Sequence, residues 1–194
     1  VGQVGLGYWG VKIAEAAKVS PHVEITRCYA RTEATREAFA AKFGARPASS
    51  YEELLADDAI EGVILITPNR VHHQQIMQAI EAGKHIFVDK PITATLEEGV
   101  EVVKAVEKAG VVLAVDHECR REIALRALKR ALDAGVLGPT HLVDANISSN
   151  TGQRTRPDEW RAAPGECPGG PLIQIAIHHI DSMHYLLGPI ARVQ

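Results

Sequence analysis

Short runs of apolar, often β-branched residues recur along the first 117 positions of the chain. They predict strands near residues 1–5, 23–30, 62–67, 84–88 and 111–115. The segments between these runs place apolar residues every three or four positions, which predicts helices. Strands that alternate with helices form right-handed crossovers within a parallel sheet. The pattern therefore predicts an α/β fold built on a doubly wound parallel sheet.

The expected helix boundaries carry capping signals. Ser50–Glu53 and Thr95–Glu98 both fit the S/T-x-x-E capping box, in which a hydroxyl and a carboxylate satisfy backbone amides at a helix start. Gly44, Gly83 and Gly110 stand where helices should stop, since glycine accepts the left-handed conformation that ends many helices. These signals support the alternation of helices and strands.

The regular alternation of predicted strands and helices ends after residue 117. A basic helix from about Glu118 through Asp133 is predicted first, then an alternating strand from Thr140 to Ser148, and later an apolar helix that ends at Leu187. We therefore predict two domains, residues 1–117 and residues 118–194.

Composition narrows the classes of function. The chain of 194 residues has a formal net charge of −3 and a pI near 6.3, so nothing in its charge favours nucleic acid or an anionic membrane as partner. No run reaches the roughly 18 apolar residues that a membrane span requires. Cys28, Cys119 and Cys167 are widely spaced, which predicts neither a disulfide framework nor a zinc knuckle and favours the cytoplasm. Because the chain opens on a strand without an initiator Met, we expect it to be a fragment.

The first strand runs directly into a glycine-rich turn. Gly5-Leu6-Gly7-Tyr8-Trp9-Gly10 forms a complete GxGxxG between that strand and an amphipathic helix. In a Rossmann fold the first glycine permits the tight turn, the second lets the backbone approach a pyrophosphate, and the third allows close helix packing. The following helix N-terminus offers amide donors to the anion. The motif predicts a dinucleotide-binding site.

The end of the second strand bears on the choice of dinucleotide. NAD enzymes usually place an acid there to bind the ribose hydroxyls, but this chain has Tyr29-Ala30-Arg31-Thr32. Arg31 is suited to a 2'-phosphate or to the adenine face, so the expected cofactor is NAD(P), with NADP favoured over NAD. A solvated arginine at a strand end is the alternative interpretation of Arg31.

Three further motifs, spread over roughly residues 1–190, point to one family. They are Gly7-Tyr8-Trp9-Gly10, the run from Thr67-Pro68-Asn69 and His72 to Asp89-Lys90-Pro91, and the run from Gly169-Gly170 through Gln174 to His178-His179-Ile180-Asp181. Together they resemble the Gfo/Idh/MocA oxidoreductase family, whose members include glucose-fructose oxidoreductase and inositol 2-dehydrogenase. The resemblance implies a Rossmann domain followed by the start of an α+β, open-faced sheet domain, with much of that second domain lacking.

The resemblance assigns Lys90 to catalysis, because the family's matching lysine contacts the reacting hydroxyl and the nicotinamide. Lys90 also follows a predicted strand at the carboxyl edge of the sheet, where doubly wound folds bind ligands. Pro91 restricts Lys90 to an extended conformation, which helps to aim its side chain. A surface lysine beside Asp89 is the alternative.

Gln174 and His178 are four residues apart, so on a helix they share one face. Family dehydrogenases carry an Asp and a His at these places, and the His commonly accepts the proton. This chain departs from the family with Gln174, whose amide binds a hydroxyl but carries no charge. We therefore expect His178, assisted by Lys90, to be the acid/base.

The remaining expected site residues lie in the same motifs or beside them. The expected cofactor-binding residues are Gly5, Gly7, Tyr8, Trp9, Gly10, Arg31, Thr67, Pro68, Asn69, His72, Asp89 and Lys90. Gln174, His117 and Arg161 are candidates for substrate binding, although capping, ion pairing or loop packing explains the last two equally well. The cluster of His178, His179, Asp181 and His184 matches no recognised ligand spacing, so no metal is expected.

The resemblance implies an NAD(P)-dependent dehydrogenase or reductase acting on CH–OH groups. The expected substrate is a sugar, cyclitol or sugar derivative, oxidised or reduced at a secondary alcohol carbon. Two alternatives stay open, namely a redox-neutral glycosidase that retains NAD, and a non-catalytic sensor of dinucleotide. The family also implies a homo-oligomer formed through the complete second domain.

Overall fold

The computed structural model describes residues 1–148, 150–163 and 165–194, without the side chain of Thr151. The chain divides into two compact units, Val1–Asp116 and His117–Gln194.

The first unit is built on a six-stranded parallel sheet. Its strands are β1 (Gly2–Val4), β2 (Arg27–Tyr29), β3 (Arg46–Pro47), β4 (Gly62–Leu65), β5 (His85–Asp89) and β6 (Leu113–Asp116). The spatial order is β3-β2-β1-β4-β5-β6, and all pairs are parallel. This confirms the predicted doubly wound α/β sheet, whose strand order reverses between β1 and β4. In such sheets ligands bind at the carboxyl ends of the strands beside the reversal.

Five helices connect these strands. They are α1 (Tyr8–Lys18), α2 (Glu33–Phe43), α3 (Tyr51–Leu55), α4 (Asn69–Glu81) and α5 (Leu96–Ala109). The three predicted glycine stops are confirmed, because Gly44, Gly83 and Gly110 all have φ values between 68° and 76°.

Only one of the two predicted capping boxes is complete. At the start of α5, Thr95 accepts from the Glu98 amide, and the Glu98 carboxylate accepts from the Thr95 amide. At the start of α3, Ser50 accepts from the Glu53 amide, but the Glu53 carboxylate binds the Ser49 amide at 2.7 Å and also pairs with Arg27. The second half of that predicted box is therefore wrong, because stronger partners take the carboxylate.

The helices cover the sheet with two hydrophobic clusters. The larger cluster joins the central strands to α3, α4 and α5 through residues such as Val4, Leu54, Leu65, Ile76, Val88 and Val102. The smaller cluster joins α1 and α2 to β2 through Leu6, Ala14, Cys28, Phe39 and Ala45. Burial of this apolar surface stabilises the sheet and holds the turns at its carboxyl edge in place.

The second unit consists of short helical segments. They are 3₁₀ turns at Glu118–Arg121 and Trp160–Ala162, helices α6 (Ile123–Asp133), α7 (Thr151–Arg154) and α8 (Ile177–Leu187), and a π-helical turn at Leu172–Ala176. The predicted helix from Glu118 to Asp133 is interrupted at Glu122, whose ψ of 138° is extended. The predicted helix end at Leu187 is confirmed.

The predicted strand from Thr140 to Ser148 is wrong for this structure. Residues 140–148 adopt neither helix nor strand, and Leu142 is 86% exposed. An alternating segment needs a neighbouring strand to pair its backbone groups, and the described residues of the second unit contain no strand. No helix within the described ranges combines the length and apolar character needed to span a membrane.

Candidate functional site

The glycine-rich turn lies at the carboxyl end of β1, beside the reversal of strand order. Gly5 has φ of +88°, and a Cβ atom on it would lie 1.9 Å from the carbonyl oxygen of Ile66. A Cβ atom on Gly10 would lie 2.1 Å from the carbonyl oxygen of Gly5, whereas one on Gly7 would meet no atom within 4 Å. The outer glycines are therefore required by packing, and the middle glycine faces open space.

That open space adjoins the N-terminus of α1. Gly7 is the N-cap of this helix, and no side chain caps it. Tyr8 and Trp9 in the first turn are 71% and 49% exposed. Backbone amides in the first turn of a helix lack intrahelical acceptors and carry partial positive charge. Open space beside them fits a dinucleotide pyrophosphate.

The side chain of Gln3, which was not predicted as a site residue, holds the glycine-rich turn in place. The side chain is completely buried in β1, where its Nε2 donates to the carbonyl oxygens of Gly10 at 2.8 Å and Gly5 at 3.4 Å. Within the described part of the chain its Oε1 atom meets no donor. The sequence did contain a signal for this role, namely a glutamine within a short apolar strand. A buried side-chain amide is normally hydrogen bonded, so a polar partner near Gln3 could have been expected.

Two arginines flank the end of β2. Arg31 is exposed just beyond the strand, and Arg36 on α2 donates from Nη1 to the carbonyl oxygens of Ala30 at 2.8 Å and Arg31 at 3.4 Å. The Arg36 guanidinium also lies 5.9 Å from the ring centroid of Tyr29. Arg31 was predicted from the sequence, whereas Arg36, which holds the backbone at Ala30 and Arg31, was not.

The turn after β4 carries Thr67, Pro68 and Asn69. The Thr67 hydroxyl donates to Oε1 of Gln75 at 2.6 Å, and Asn69 begins α4 as a buried residue. The turn after the neighbouring strand β5 carries Asp89, Lys90 and Pro91. Lys90 is half-buried and directly follows Asp89, the last residue of β5. The structure therefore places both predicted motifs at the carboxyl edge of adjacent strands.

His72 was predicted to bind the cofactor, but its placement does not fit direct contact. The residue is 0% exposed, and both ring nitrogens lie 2.8 Å from backbone carbonyl oxygens, Nδ1 from Pro91 and Nε2 from Thr67. Burial lowers the pKa of His72, while these two carbonyls and the charge of Asp89 act in the opposite direction. Its ring joins the turns that follow β4 and β5.

In the second unit, α8 brings His178 close to groups from the 3₁₀ turn that opens the unit. His178 Nδ1 lies 3.7 Å from Glu118 Oε2, and the His178 and His117 rings are perpendicular with centroids 6.3 Å apart. Asp181, one turn along α8, accepts from Arg120 Nε at 2.6 Å and Nη2 at 2.5 Å. Its Oδ1 also lies 3.9 Å from His117 Nδ1. His117 and His178, which were predicted separately as site residues, therefore lie beside the charged groups Glu118, Arg120 and Asp181.

Gln174 and Arg161 are also neighbours. Gln174 Nε2 donates to the carbonyl oxygen of Arg161 at 3.2 Å, and the Arg161 guanidinium stacks 4.3 Å from the ring centroid of Trp160. Gln174 lies in the π-helical turn and His178 in the following α-helix. Both residues therefore lie on one continuous helical segment that begins with a π turn, and their shared face stays a prediction.

One cluster of metal-ligating groups occurs among the described residues. Ligand atoms of Glu118, Cys119 and His178 lie within 4.8 Å of one another. Burial, followed by the charges of Glu118 and Glu122, raises the pKa of the Cys119 thiol to about 11, so the thiol is protonated at neutral pH. The cluster was missed because His178 lies far along the chain from the other two residues.

The comparisons with known proteins identify the family. Residues 1–117 match the oxidoreductase family with an NAD-binding Rossmann fold, and residues 125–194 match the Gfo/Idh/MocA C-terminal domain. The chain therefore belongs to the Gfo/Idh/MocA oxidoreductase family, and its first unit has an NAD(P)-binding fold. The residues beside Gly7 fit that cofactor, as the open space and the uncapped helix indicate.

Three similar proteins illustrate the relationship. Two are scyllo-inositol 2-dehydrogenases of Bacillus subtilis strain 168, one named for NADP(+) with 36% identity over 71% of this chain, and one named for NAD(+) with 35% identity over 70%. The third is the crystal structure of a putative NADPH-dependent oxidoreductase from Desulfitobacterium hafniense DCB-2, with 35% identity, a TM-score of 0.93 and 98% of this chain covered. The matches span 37% and 38% of the two dehydrogenases and 55% of the solved chain, so this chain matches about half or less of each.

Proposed function

We propose that this protein is an NAD(P)-dependent oxidoreductase that transfers hydride between nicotinamide and a secondary alcohol carbon of a sugar, cyclitol or sugar derivative. The observation that carries the proposal is the glycine turn of Gly5, Gly7 and Gly10, which leaves open space beside an uncapped helix N-terminus. Family membership and the names of the inositol dehydrogenases support the substrate class.

In this proposal, the chain's own residues handle the proton of the substrate hydroxyl. Lys90 presents an ammonium at the carboxyl edge of the sheet, which favours a developing alkoxide. His178 accepts or returns the hydroxyl proton, and the Glu118 carboxylate lies 3.7 Å from its Nδ1. When bound, the nicotinamide supplies the hydride acceptor or donor. Residues 118–194 contribute the first part of a substrate and oligomerisation domain.

Turnover with a defined panel tests the function. The protein is incubated with NAD or NADP and with cyclitols, pyranoses, anhydrosugars and sugar acids, and absorbance at the nicotinamide band is followed. We expect cofactor reduction with at least one cyclitol or sugar. Cleavage of a glycoside without net cofactor reduction, or tight binding of NAD(P) without any turnover across the panel, would overturn the dehydrogenase proposal.

We further propose that NADP is preferred over NAD. Support comes from the absence of an acid in Tyr29-Ala30-Arg31-Thr32 and from the exposed Arg31 on backbone held by Arg36. Relatives named for NADP(+) and for NAD(+) both occur, so the arginines carry this proposal.

Arg31→Ala is expected to weaken NADPH binding about tenfold, or about 1.4 kcal/mol, and to change NADH binding by less than twofold. The reason is that a guanidinium pairs with the 2'-phosphate, which NADH lacks. Nicotinamide fluorescence titrations measure the dissociation constants of NADPH and NADH. The control is Lys108→Ala, which removes a basic residue at the end of α5. An equal loss for NADPH and NADH would contradict the assignment of Arg31.

A further inference from the structure

The imidazole of His72 links two turns that the sheet itself does not join. The ladder between β4 and β5 has Leu65↔Val88 as its last register pair. Beyond that pair, the Thr67 carbonyl follows β4 and the Pro91 carbonyl follows β5, and each lies 2.8 Å from one nitrogen of the His72 ring. His72 therefore extends the connection between the strands past the end of their ladder.

The two joined turns carry residues of the proposed site. Thr67 is followed by Pro68 and by Asn69, which begins α4, while Pro91 directly follows Lys90. Because the proline ring fixes φ of Pro91, holding the Pro91 carbonyl also restrains the peptide bond that joins Pro91 to Lys90. His72, 18 positions before Lys90, is therefore placed to restrain the Lys90 backbone.

The chemistry of the contact requires a donor. Both partners are carbonyl oxygens, which only accept hydrogen bonds, and a neutral imidazole has one N–H. The neutral ring therefore donates to one of the two turns, and the imidazolium donates to both. In either state at least one buried carbonyl depends on His72, and an apolar ring of the same size would satisfy neither.

We propose that His72 is a positioning residue that ties the Thr67 turn to the Pro91 turn and thereby sets the environment of Lys90. The inference rests on the proposed function, because that function gives Lys90 its importance. The contacts of His72 with the two carbonyls do not depend on it. The glycine turn is braced separately by Gln3, so loss of the His72 contact is expected to disturb Lys90 more than dinucleotide binding.

The test measures Lys90 directly, without a substrate. The protein and its His72→Phe and His72→Gln variants are acetylated with limiting acetic anhydride across a pH series, and mass spectrometry gives the rate for each lysine. His72→Phe keeps an aromatic ring, somewhat larger than imidazole, without a donor, whereas His72→Gln keeps an N–H. Lys104, an exposed residue of α5, is the internal control.

We expect the Lys90 rate to change at least threefold in His72→Phe and by a smaller factor in His72→Gln, with the Lys104 rate unchanged. NADPH fluorescence titrations of the same proteins are expected to agree within about threefold. Unchanged Lys90 rates in both variants would overturn the proposal. If His72→Phe does not fold, His72→Leu, which also lacks a donor, takes its place, and an unchanged Lys90 rate in that variant overturns the proposal. Failure of the wild-type protein to bind either NADH or NADPH, with the Lys90 rate still altered, would reject the proposed function and leave the positioning role of His72 standing.

Discussion

Gly7→Ala is expected to abolish measurable dinucleotide binding while leaving the stability of the fold nearly unchanged. A Cβ atom at this position meets nothing within 4 Å in the protein, and Gly7 has an ordinary φ of −75°. The added methyl group instead occupies the space in which we place the pyrophosphate. Because the backbone must approach the phosphates closely, we expect affinity for NADPH to fall by about a hundredfold or more.

Gly10→Ala is the matched comparison for Gly7→Ala, because we expect it to destabilise the fold instead of blocking the dinucleotide site. Its Cβ atom would lie 2.1 Å from the carbonyl oxygen of Gly5 and 2.9 Å from Gln3 Nε2. The backbone clash cannot be relieved by a side-chain rotation, so we expect a loss of about 1–3 kcal/mol in the free energy of unfolding. Urea denaturation and NADPH titration of both variants separate the two effects. Wild-type affinity in Gly7→Ala would contradict the placement of the pyrophosphate.

Lys90→Met is expected to lower kcat by about 10²–10⁴-fold, the range typical for loss of a group that handles a proton in the transition state. Methionine retains much of the apolar length of the lysine side chain, so the fold and NADPH binding should change little. Steady-state rates with a substrate found in the panel measure the effect. Lys104→Met on the exposed face of α5 is the control. A loss of less than tenfold in Lys90→Met would remove the residue from catalysis.

Much of the sheet could be predicted because its signals are local. The apolar runs of β4 and β5 are buried by helices, so their composition alone marks them as strands. β3 was missed because Arg46 and Pro47 form only a two-residue pairing with no apolar run. The failed strand at 140–148 shows the reverse case, in which an alternating pattern is present but the described part of its unit offers no partner strand.

Parts of the candidate site could likewise be predicted from the sequence, and other parts could not. The glycine turn was predicted because all the residues that need to be glycine lie in one contiguous motif. Gln3 and Arg36 were missed because each acts through a backbone carbonyl that no sequence motif specifies. The pair of Arg120 and Asp181 joins residues 61 positions apart, which spacing rules do not detect.

The positioning role proposed for His72 could not be predicted from the sequence for a similar reason. Its sequence context indicated proximity to the cofactor, and the turn after β4 does lie at the expected edge. Only the burial of its ring and the two carbonyl contacts distinguish positioning from direct binding. Local sequence therefore located the region of the fold, while the buried carbonyl contacts of this side chain, which carry the positioning proposal, could be seen only in the structure.

Titration of the protein with NADH and with NADPH, followed by nicotinamide fluorescence, tests the central claim most directly because it needs no substrate. We predict saturable binding of NADPH, weaker binding of NADH, and loss of both in Gly7→Ala. Binding of neither dinucleotide by protein whose fold is verified by circular dichroism would contradict the proposed oxidoreductase function.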